Sequence, residues 1–278
     1  MSDTEHQSGM ERLFDIIGAS IAVGEPFDRG SYIEMQCRAD NEKQGRLPDY
    51  DCPKCRNKGV VYFVADGEER VKECECMALR RERKMIRESG LEDKLRTMTF
   101  DTFCAANDWQ HTILNKARQF TEQTGCSCFF IGGQSGSGKT HICSAIVGNL
   151  IMQQKIPTRY FIWETKIKAI LALSGNDDRQ AKEKIVKGLM NIDALYLDDF
   201  FRKEKISQAE RSVAFDIINY RYNKGLATVI SSERYLDEVC SVDEAIGSRI
   251  KEMCGNKFSL SVARSSERNY RFNGSEIK

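Results

Sequence analysis

The sequence predicts an α/β fold, a parallel sheet flanked by helices, preceded by a small zinc-binding N-terminal domain. Two observations predict it. Beyond Phe100, short apolar runs alternate with helical segments, which is typical of a parallel sheet covered on both faces. Before that point, four cysteines form two close pairs, Cys52 with Cys55 and Cys74 with Cys76. We therefore expect a metal-stapled module followed by a larger α/β domain.

The composition narrows the possible function classes. The net charge is +1, so no overall field favours nucleic acid and any basic surface must be local. No apolar run approaches the ~18 residues that a bilayer-spanning helix needs. The first thirty residues also lack the basic start and apolar core of a signal peptide. We expect a cytoplasmic protein, without a membrane segment, whose cysteines are reduced.

Residues 1–96 form a predicted partner-binding region. Residues 10–23 have the apolar spacing of a small amphipathic helix, which either packs on the rest of the protein or docks on a partner. The zinc knuckle, residues 52–76, follows, and the sequence between its cysteine pairs predicts a β-hairpin turning at Asp66-Gly67. Residues 79–96 alternate in charge and predict a solvated linker helix, after which the domain at residues 97–278 begins.

The two cysteine pairs supply four thiolates, which is the ligand set of a tetrahedral Zn²⁺. Because four thiolates leave no open coordination position, the metal would be structural. An iron–sulfur cluster or a redox dithiol are the alternatives. The other cysteines, Cys126 and Cys128 included, are predicted to pack in the interior. A second metal site at Cys126 and Cys128 is the alternative for that pair. The predicted zinc ligands are Cys52, Cys55, Cys74 and Cys76.

A phosphate-binding pattern, G-x-x-x-x-G-K-[ST], occupies residues 133–140 directly after the apolar strand CFFIG. Its glycines let backbone N–H groups surround phosphate oxygens. Lys139 can neutralise the β- and γ-phosphates, and Thr140 offers a hydroxyl to Mg²⁺. We predict an ATP site formed by Gly133, Gln134, Ser135, Gly136, Ser137, Gly138, Lys139, Thr140 and His141.

Two acids, Asp198 and Asp199, end the apolar run ALYLDD. Hydrolysis requires Mg²⁺ to be held from the side opposite the phosphate loop and a water to be oriented at the γ-phosphate. We predict that Asp198 holds Mg²⁺ through a coordinated water and that Asp199 polarises the attacking water.

Further polar residues follow at spacings that suit a nucleotide-sensing ATPase. The strand ATVISSE ends in Ser231, Ser232 and Glu233, and one of these side chains could report on the γ-phosphate. Arg249 and Arg271 are available as phosphate ligands, from a neighbouring subunit and from the same chain respectively.

A basic cluster comes directly after the two acids. Basic side chains at this position could neutralise the phosphates of single-stranded DNA, with neighbouring aromatic rings stacking on bases. A solvated helix start is the alternative. The basic residues are Arg202, Lys203, Lys205, Arg211 and Arg221, and the rings are those of Phe200 or Phe201.

These motifs, in this order, resemble the AAA+ family, and more closely the DnaC/DnaI-type helicase loaders with their IstB-like transposition relatives. The resemblance rests on GGQSGSGKTH, ALYLDDFF, FDIINYRYNKGLATVISSE, EAIGSRI and ERNYR, and covers about residues 95–273. It implies a P-loop AAA+ ATPase module in which TFDTF, residues 99–103, leads into the adenine pocket. It also implies Walker A at residues 133–140, Walker B at Asp198 and Asp199, sensor 1 at Ser232, an arginine finger at Arg249 and sensor 2 at Arg271.

The resemblance implies a helicase loader acting in DNA replication initiation. The N-terminal region would bind the hexameric replicative helicase, and the AAA+ domain would bind ATP, Mg²⁺ and single-stranded DNA. The subunits would self-associate, because an arginine finger reaches the neighbour's nucleotide. Asp199 stands where the family has Glu, and Ser232 or Glu233 where it commonly has Asn, so we expect slow hydrolysis. An IstB-like transposition helper, which typically lacks a zinc module, and a nucleotide-gated adaptor with little hydrolysis are the alternatives.

Overall fold

The structure is a computed structural model that describes residues 28–48, 51–123, 127–173 and 176–270. The predicted helix at residues 10–23, as well as Cys126 and Arg271, lies outside the described residues. The chain divides between Arg80 and Arg81 into two compact units, which are described separately below. Within the described ranges, no helix is both long and apolar enough to cross a membrane.

The first unit is built from one helix and one hairpin. The helix is α1 (Arg29–Glu42), and the hairpin pairs β1 (Val60–Ala65) with β2 (Glu68–Glu73) in antiparallel register. The predicted turn is confirmed. Asp66 and Gly67 both have positive φ, as a two-residue turn of this type requires.

A side-chain clamp fixes the helix of the first unit to its hairpin. The Asn41 amide donates to the Tyr62 carbonyl at 2.7 Å and accepts from the Tyr62 N–H at 2.9 Å. Asn41 therefore satisfies both main-chain groups of Tyr62 on β1. This rigid frame supports the loops that carry the four paired cysteines.

The charged linker forms two helices rather than the single one predicted. They are α2 (Cys76–Ser89) and α3 (Glu92–Thr97), and Gly90 between them has φ +76°, which ends a right-handed helix. Leu91 and Leu95 are buried in the core of the second unit. By packing, α3 therefore belongs with the α/β unit, while the functional division at residue 96 stays a prediction.

The second unit is a five-stranded parallel sheet flanked by helices, which confirms the predicted fold. The strands lie in the order β4-β5-β6-β3-β7. Their bounds are β3 (Cys128–Gly133), β4 (Thr158–Ile162), β5 (Ala194–Asp198), β6 (Ala227–Ser232) and β7 (Ser259–Val262). The helices are α4 (Asp108–Glu122), α5 (Lys139–Met152), α6 (Trp163–Ala172), α7 (Asn176–Asn191), α8 (Gln208–Lys224), α9 (Leu236–Val242) and α10 (Glu244–Cys254), with a 3₁₀ turn at Ser266–Arg268.

The order of the strands in the sheet brings the predicted nucleotide-site residues together. Every residue of β3 and β5 is buried, as expected for central strands of a sheet covered on both faces. Strand β6 lies between them, so the phosphate loop, the two acids and the serines of β6 all end at one edge of the sheet. The sequence predicted each of these three strands, whereas β7 and the helices α1, α4, α7, α9 and α10 were not predicted.

Candidate functional site

The phosphate loop connects β3 to α5, and its glycines allow the chain to turn there. Gly136 and Gly138 have φ of +77° and +85°, and a Cβ on Gly136 would collide with the side chain of Asn269. Gly138 is directly followed by α5, so the N–H groups of the first helical turn point into the loop. This is the backbone cradle that a polyphosphate requires, and the residues fit the nucleotide that the motif predicts.

Lys139 lies inside this cradle. Its ammonium donates to the Gln134 carbonyl at 2.6 Å, and the residue is 7% exposed. Burial lowers the pKa of Lys139, while the nearby carboxylates of Glu233 and Asp199 partly oppose that change. Because phosphate charge would favour the ammonium form still further, Lys139 is well placed to bind nucleotide phosphates.

One oxygen of Asp198 faces the phosphate loop and the neighbouring strand. Oδ1 accepts from the Tyr196 hydroxyl at 2.8 Å and from the Thr140 hydroxyl at 3.3 Å. The Ser231 hydroxyl also donates to this oxygen. Thr140 and Asp198, the two predicted magnesium-side groups, are therefore adjacent. Two oxygen-bearing side chains beside a phosphate cradle are the donor set that Mg²⁺ prefers.

The other oxygen of Asp198 faces the edge strand and α3. Oδ2 accepts from the Tyr160 hydroxyl at 2.6 Å and lies 3.5 Å from the Lys94 ammonium. Burial raises the pKa of Asp198, but hydrogen bonds from Ser231, Tyr160 and Tyr196 outweigh it and hold the pKa below its usual value. Asp198 is therefore a buried, ionised carboxylate held by several donors.

Three of these donors were missed by sequence reasoning. Tyr196 is two residues before Asp198 on β5, so strand alternation alone places both on one face. Tyr160 is in register with Tyr196 on the neighbouring strand, and that register is a tertiary fact. Lys94 lies 104 positions away in the sequence and carries no local signal.

Asp199 occupies an unusual backbone position beside the buried acid. Its φ is +54°, a left-handed conformation that Asp tolerates better than most residues. Burial and the adjacent Asp198 raise the pKa of Asp199, and Arg202 opposes this. The Arg202 guanidinium bridges Asp199 Oδ2 at 3.5 Å and Glu233 Oε2 at 3.4 Å. Asp199, the predicted water-polarising acid, is thus half-buried and forms an ion pair with Arg202 of the same chain.

The end of β6 separates three consecutive side chains into three environments. Ser231 donates to Asp198, while the Ser232 hydroxyl donates to the Phe200 carbonyl at 2.7 Å and accepts from the Arg234 N–H at 3.0 Å. Glu233 is half-buried and pairs with Arg202. The choice between Ser232 and Glu233 as sensor stays open, and Ser231 is the serine that contacts the magnesium-side acid.

The segment at residues 99–103 packs against the start of α5. The His141 ring nitrogen Nε2 is 2.9 Å from the Thr99 carbonyl and 3.3 Å from the Thr102 hydroxyl. The Phe103 ring meets the His141 ring edge-on at a centroid distance of 5.3 Å, and it also lies beside Gly138. An aromatic ring therefore lies next to the phosphate cradle, on the side where the resemblance places the adenine.

A family model supports this reading of the geometry. The model of the bacterial DnaA ATPase domain matches residues 95–255, which include the phosphate loop, both acids and β6. The chain belongs to the bacterial DnaA ATPase domain family. The predicted AAA+ fold and ATPase activity are therefore confirmed.

The chain is also similar to individual proteins of known name. The PBSX phage-like element protein XkdC of Bacillus subtilis (strain 168) is 26% identical over 248 residues, covering 85% of this chain and 91% of that protein. The replicative helicase loader DnaC of Escherichia coli (strain K12) is 22% identical over 166 residues, covering 59% of this chain and 65% of that protein. The expected resemblance to DnaC/DnaI-type loaders is thereby confirmed.

A solved structure shows the same fold. The replication initiator DnaA bound to AMPPCP and single-stranded DNA superimposes with a TM-score of 0.51 at 17% identity, covering 65% of this chain and 54% of that chain. At this identity the likeness concerns the fold of the DnaA-type ATPase domain and not its individual contacts.

In this DnaA-family chain, hydrogen bonds hold the loop that follows Asp198 and Asp199 in place. Arg234 donates to the carbonyls of Phe201 at 2.7 Å, Lys203 at 2.6 Å and Glu204 at 2.9 Å. The prediction that Phe200 or Phe201 stacks on DNA bases is wrong. Both rings are fully buried, are stacked on each other at 4.1 Å and pack against Trp163.

The basic residues of the predicted DNA surface differ in availability. Lys203 pairs with the buried Glu210 at 2.6 Å, whereas Arg202 is half-exposed and Lys205 is exposed. Arg221 cannot contact DNA because its side chain is fully buried between α7, α8 and β6. Its guanidinium donates to the carbonyls of Leu189, Met190, Ile192, Asp193 and Ala227 and to the Thr228 hydroxyl.

The predicted arginine finger lies on α10, on the outer face of α8. The Arg249 guanidinium donates to the Asn219 side chain at 2.9 Å and to the Ala245 carbonyl at 2.8 Å, and it lies 5.0 Å above the Phe215 ring. Among the described residues, its hydrogen bonds and ring contacts are with α8 and α10 and not with the nucleotide site of its own chain. This position is compatible with action on a neighbouring subunit, and the assignment stays a prediction.

The C-terminal described residues cover the phosphate loop. The Gln134 side chain donates to the Ser265 carbonyl and accepts from the Ser265 N–H, both at 2.7 Å. The Tyr270 N–H donates to the Gly136 carbonyl at 2.9 Å. The predicted sensor 2 residue, Arg271, is next in the chain and lies outside the described residues.

In the first unit, the four paired cysteines come together. Their Sγ atoms all lie within 4.8 Å of one another, with Cys52 to Cys74 at 3.8 Å and Cys55 to Cys76 at 3.5 Å. A tetrahedron with Zn–S bonds of ~2.3 Å separates its sulfurs by ~3.8 Å. All four residues are buried, so the cluster has the geometry of a closed tetrathiolate site.

The four thiols differ in how readily they ionise. Burial opposes ionisation of Cys55, but the Gly59 N–H and the neighbouring thiols lower its pKa to about 6. Burial and the same thiols raise the pKa of Cys76 to about 12. Four thiolates at these distances repel one another, so ionisation of all four is favoured by a positive ion between them.

Proposed function

We propose that this protein is an ATP-dependent helicase loader that acts in DNA replication initiation. The observation that carries the proposal is the combination of a DnaA-type ATP site with a separate four-cysteine unit at its N-terminal side. Similarity to DnaC, which is named a replicative helicase loader, supports it. The N-terminal region would bind the hexameric helicase and the ATPase domain would bind ATP and DNA.

The test is complex formation with the purified replicative helicase of the same cell. The full-length protein is mixed with the helicase hexamer with ATP, with ADP and without nucleotide, and the complexes are weighed by mass photometry. We expect a complex that Cys74→Ser weakens and that Cys104→Ser leaves intact. Cys104 is exposed, so the prediction that it packs in the interior is wrong. Absence of a complex in every nucleotide state would reject the loader function, and binding of a transposase instead would favour the IstB-like alternative.

Zinc in the cysteine unit is part of this proposal. Zn²⁺ would supply the positive charge that lets all four buried thiols ionise, and it would hold the two cysteine loops on the β1–β2 hairpin. Its role would be structural. The nucleotide-gated adaptor remains the second candidate because Asp199, the shorter acid, is paired with Arg202.

Hydrolysis is proposed to be slow and to depend on self-association. Thr140 and Asp198 would hold Mg²⁺, and Asp199 would orient water once it is free of Arg202. Arg249 would complete the site of a neighbouring subunit.

The proposal that Arg249 acts on the site of a neighbouring subunit can be tested by mixing two inactive variants. Lys139→Ala and Arg249→Ala are each expected to abolish turnover in pure form. In a 1:1 mixture, about a quarter of the interfaces join an intact phosphate loop to an intact Arg249, so activity should reappear. If the mixture stays as inactive as its components, Arg249 does not act across the interface.

Single-stranded DNA is proposed to contact the loop after Walker B through Arg202 and Lys205. Each lost phosphate contact should reduce the slope of log affinity against log salt by about 1. DNA binding is measured for Arg202→Ala and Lys205→Ala at several salt concentrations, with Arg179→Ala, a strongly exposed arginine on α7, as control. An unchanged slope in both loop variants would remove this surface from the proposal.

A further inference from the structure

Among the described residues, the cation that pairs with Asp198, the proposed magnesium-side acid, comes from outside the recognised motifs. Lys94 lies on α3, and its ammonium is 3.5 Å from Asp198 Oδ2. The same ammonium contacts the Tyr160 hydroxyl and lies 4.4 Å from the centre of the Tyr160 ring. Tyr160 in turn donates to Asp198 Oδ2 at 2.6 Å. Lys94 and Tyr160 therefore occupy the Asp198 oxygen that faces away from Thr140.

Helix α3 keeps the ammonium at this position. Leu95 is 5% exposed and is packed in the main core, which fixes the short helix to the ATPase domain. The Met98 N–H donates to the Lys94 carbonyl at 2.7 Å, so the residue is one helical turn before the segment at 99–103. The Lys94 side chain is 32% exposed, so its ammonium can move into solvent, and Asp198 would then keep its hydrogen bonds from Ser231, Tyr196 and Tyr160.

The ion pair between Lys94 and Asp198 affects how strongly Asp198 can attract a metal cation. In the described part of the chain, Asp198 is the carboxylate in direct contact with Thr140, and the Lys94 ammonium pairs with it. A dication held between Thr140 and Asp198 would be repelled by an ammonium on the same carboxylate. We infer that Lys94 competes with Mg²⁺ for Asp198 and so sets the Mg²⁺ concentration at which nucleotide binds. The inference rests on the proposed magnesium site and makes Lys94 a positioning residue that acts through Asp198.

The experiment measures nucleotide binding rather than turnover. A fluorescent ATP analogue carrying a methylanthraniloyl group is bound to the full-length protein while Mg²⁺ is titrated, and the half-maximal Mg²⁺ concentration is recorded. Mg²⁺ also binds free nucleotide, but it does so equally in every sample. Differences in the half-maximal Mg²⁺ concentration between variants therefore come from the protein. Lys94→Met keeps the aliphatic length and removes the charge, and it should lower the half-maximal Mg²⁺ concentration about three- to tenfold. Lys94→Arg keeps the charge and should behave like the parent.

The matched control is Lys168→Met. Lys168 also pairs with a carboxylate, Glu164 at 3.1 Å, but on the surface of α6, and its loss should leave the Mg²⁺ dependence unchanged. An unchanged or higher Mg²⁺ requirement in Lys94→Met would overturn the inference while leaving the ATP site intact. So would an equal loss of affinity with Mg²⁺ and with excess chelator, because Lys94 would then be a phosphate ligand. A parent protein whose nucleotide binding ignores Mg²⁺ would overturn both this inference and the proposed magnesium site.

Discussion

Arg221 provides a quantitative test of whether the second unit is held together by a buried cation. Its guanidinium makes six hydrogen bonds, five of them to main-chain carbonyls that end α7 or flank β6. Burial lowers its pKa to about 10, so it remains charged at neutral pH. Arg221→Met retains much of the volume but removes every one of these donors.

The expected loss follows from those acceptors. A buried acceptor left without a donor costs about 1 kcal/mol at least. The cost summed over the six acceptors of Arg221 is reduced to about half for two reasons. Carbonyls keep a second lone pair, and burying a guanidinium is itself unfavourable. We therefore expect the free energy of unfolding to fall by about 3 kcal/mol. For a unit of this size, that lowers the Tm by about 6–12 °C.

Urea and thermal unfolding, followed by circular dichroism, measure the effect. Arg179→Met is the control, since that arginine is 83% exposed and should change stability by less than about 0.5 kcal/mol. At a temperature where Arg221→Met remains folded, its salt-dependent binding to single-stranded DNA should equal that of the parent. A stability loss below about 1 kcal/mol, or a reduced salt slope, would refute the assignment of Arg221 as a buried structural residue.

Three further outcomes are expected. Lys139→Ala should abolish binding of a fluorescent ATP analogue, because it removes the ammonium inside the phosphate cradle; retained binding would contradict that role. Asp199→Asn should reduce steady-state turnover at least about tenfold, whereas Asp199→Glu should raise it by restoring the longer reach; equal rates in all three proteins would show that this acid does not polarise water. Cys74→Ser should lower zinc content, measured by elemental analysis, from about one ion per chain to none. An unchanged zinc content would place the metal elsewhere.

Much of the site could be predicted because its chemistry is local in sequence. The phosphate loop needs only consecutive residues, and its glycines adopt the positive φ values that the motif requires. The hairpin turn at Asp66-Gly67 is likewise a two-residue property. The cysteine quartet was predictable because two short pairs joined by a hairpin can meet only at its open end.

Other assignments depended on neighbours that the sequence does not show. Phe200 and Phe201 follow the acids and carry an aromatic signal that suits either a DNA surface or a core. A kinked backbone, with φ +53° at Phe201, and the proximity of Trp163 direct both rings inward. Arg221 is surrounded by polar residues in the sequence, yet the ends of α7 and β6 converge on it and bury it completely.

The sequence by itself determined the fold class, the order of the nucleotide motifs, the two acids and the cysteine quartet. Each depends on residues within a few positions of one another, or on elements that follow one another directly along the chain. The tertiary structure alone decided that Ser231 contacts Asp198 while Ser232 turns to the Phe200 carbonyl. It also decided that Lys94, 104 positions away, pairs with Asp198. Strand register and helix docking create such contacts, and a single sequence records neither.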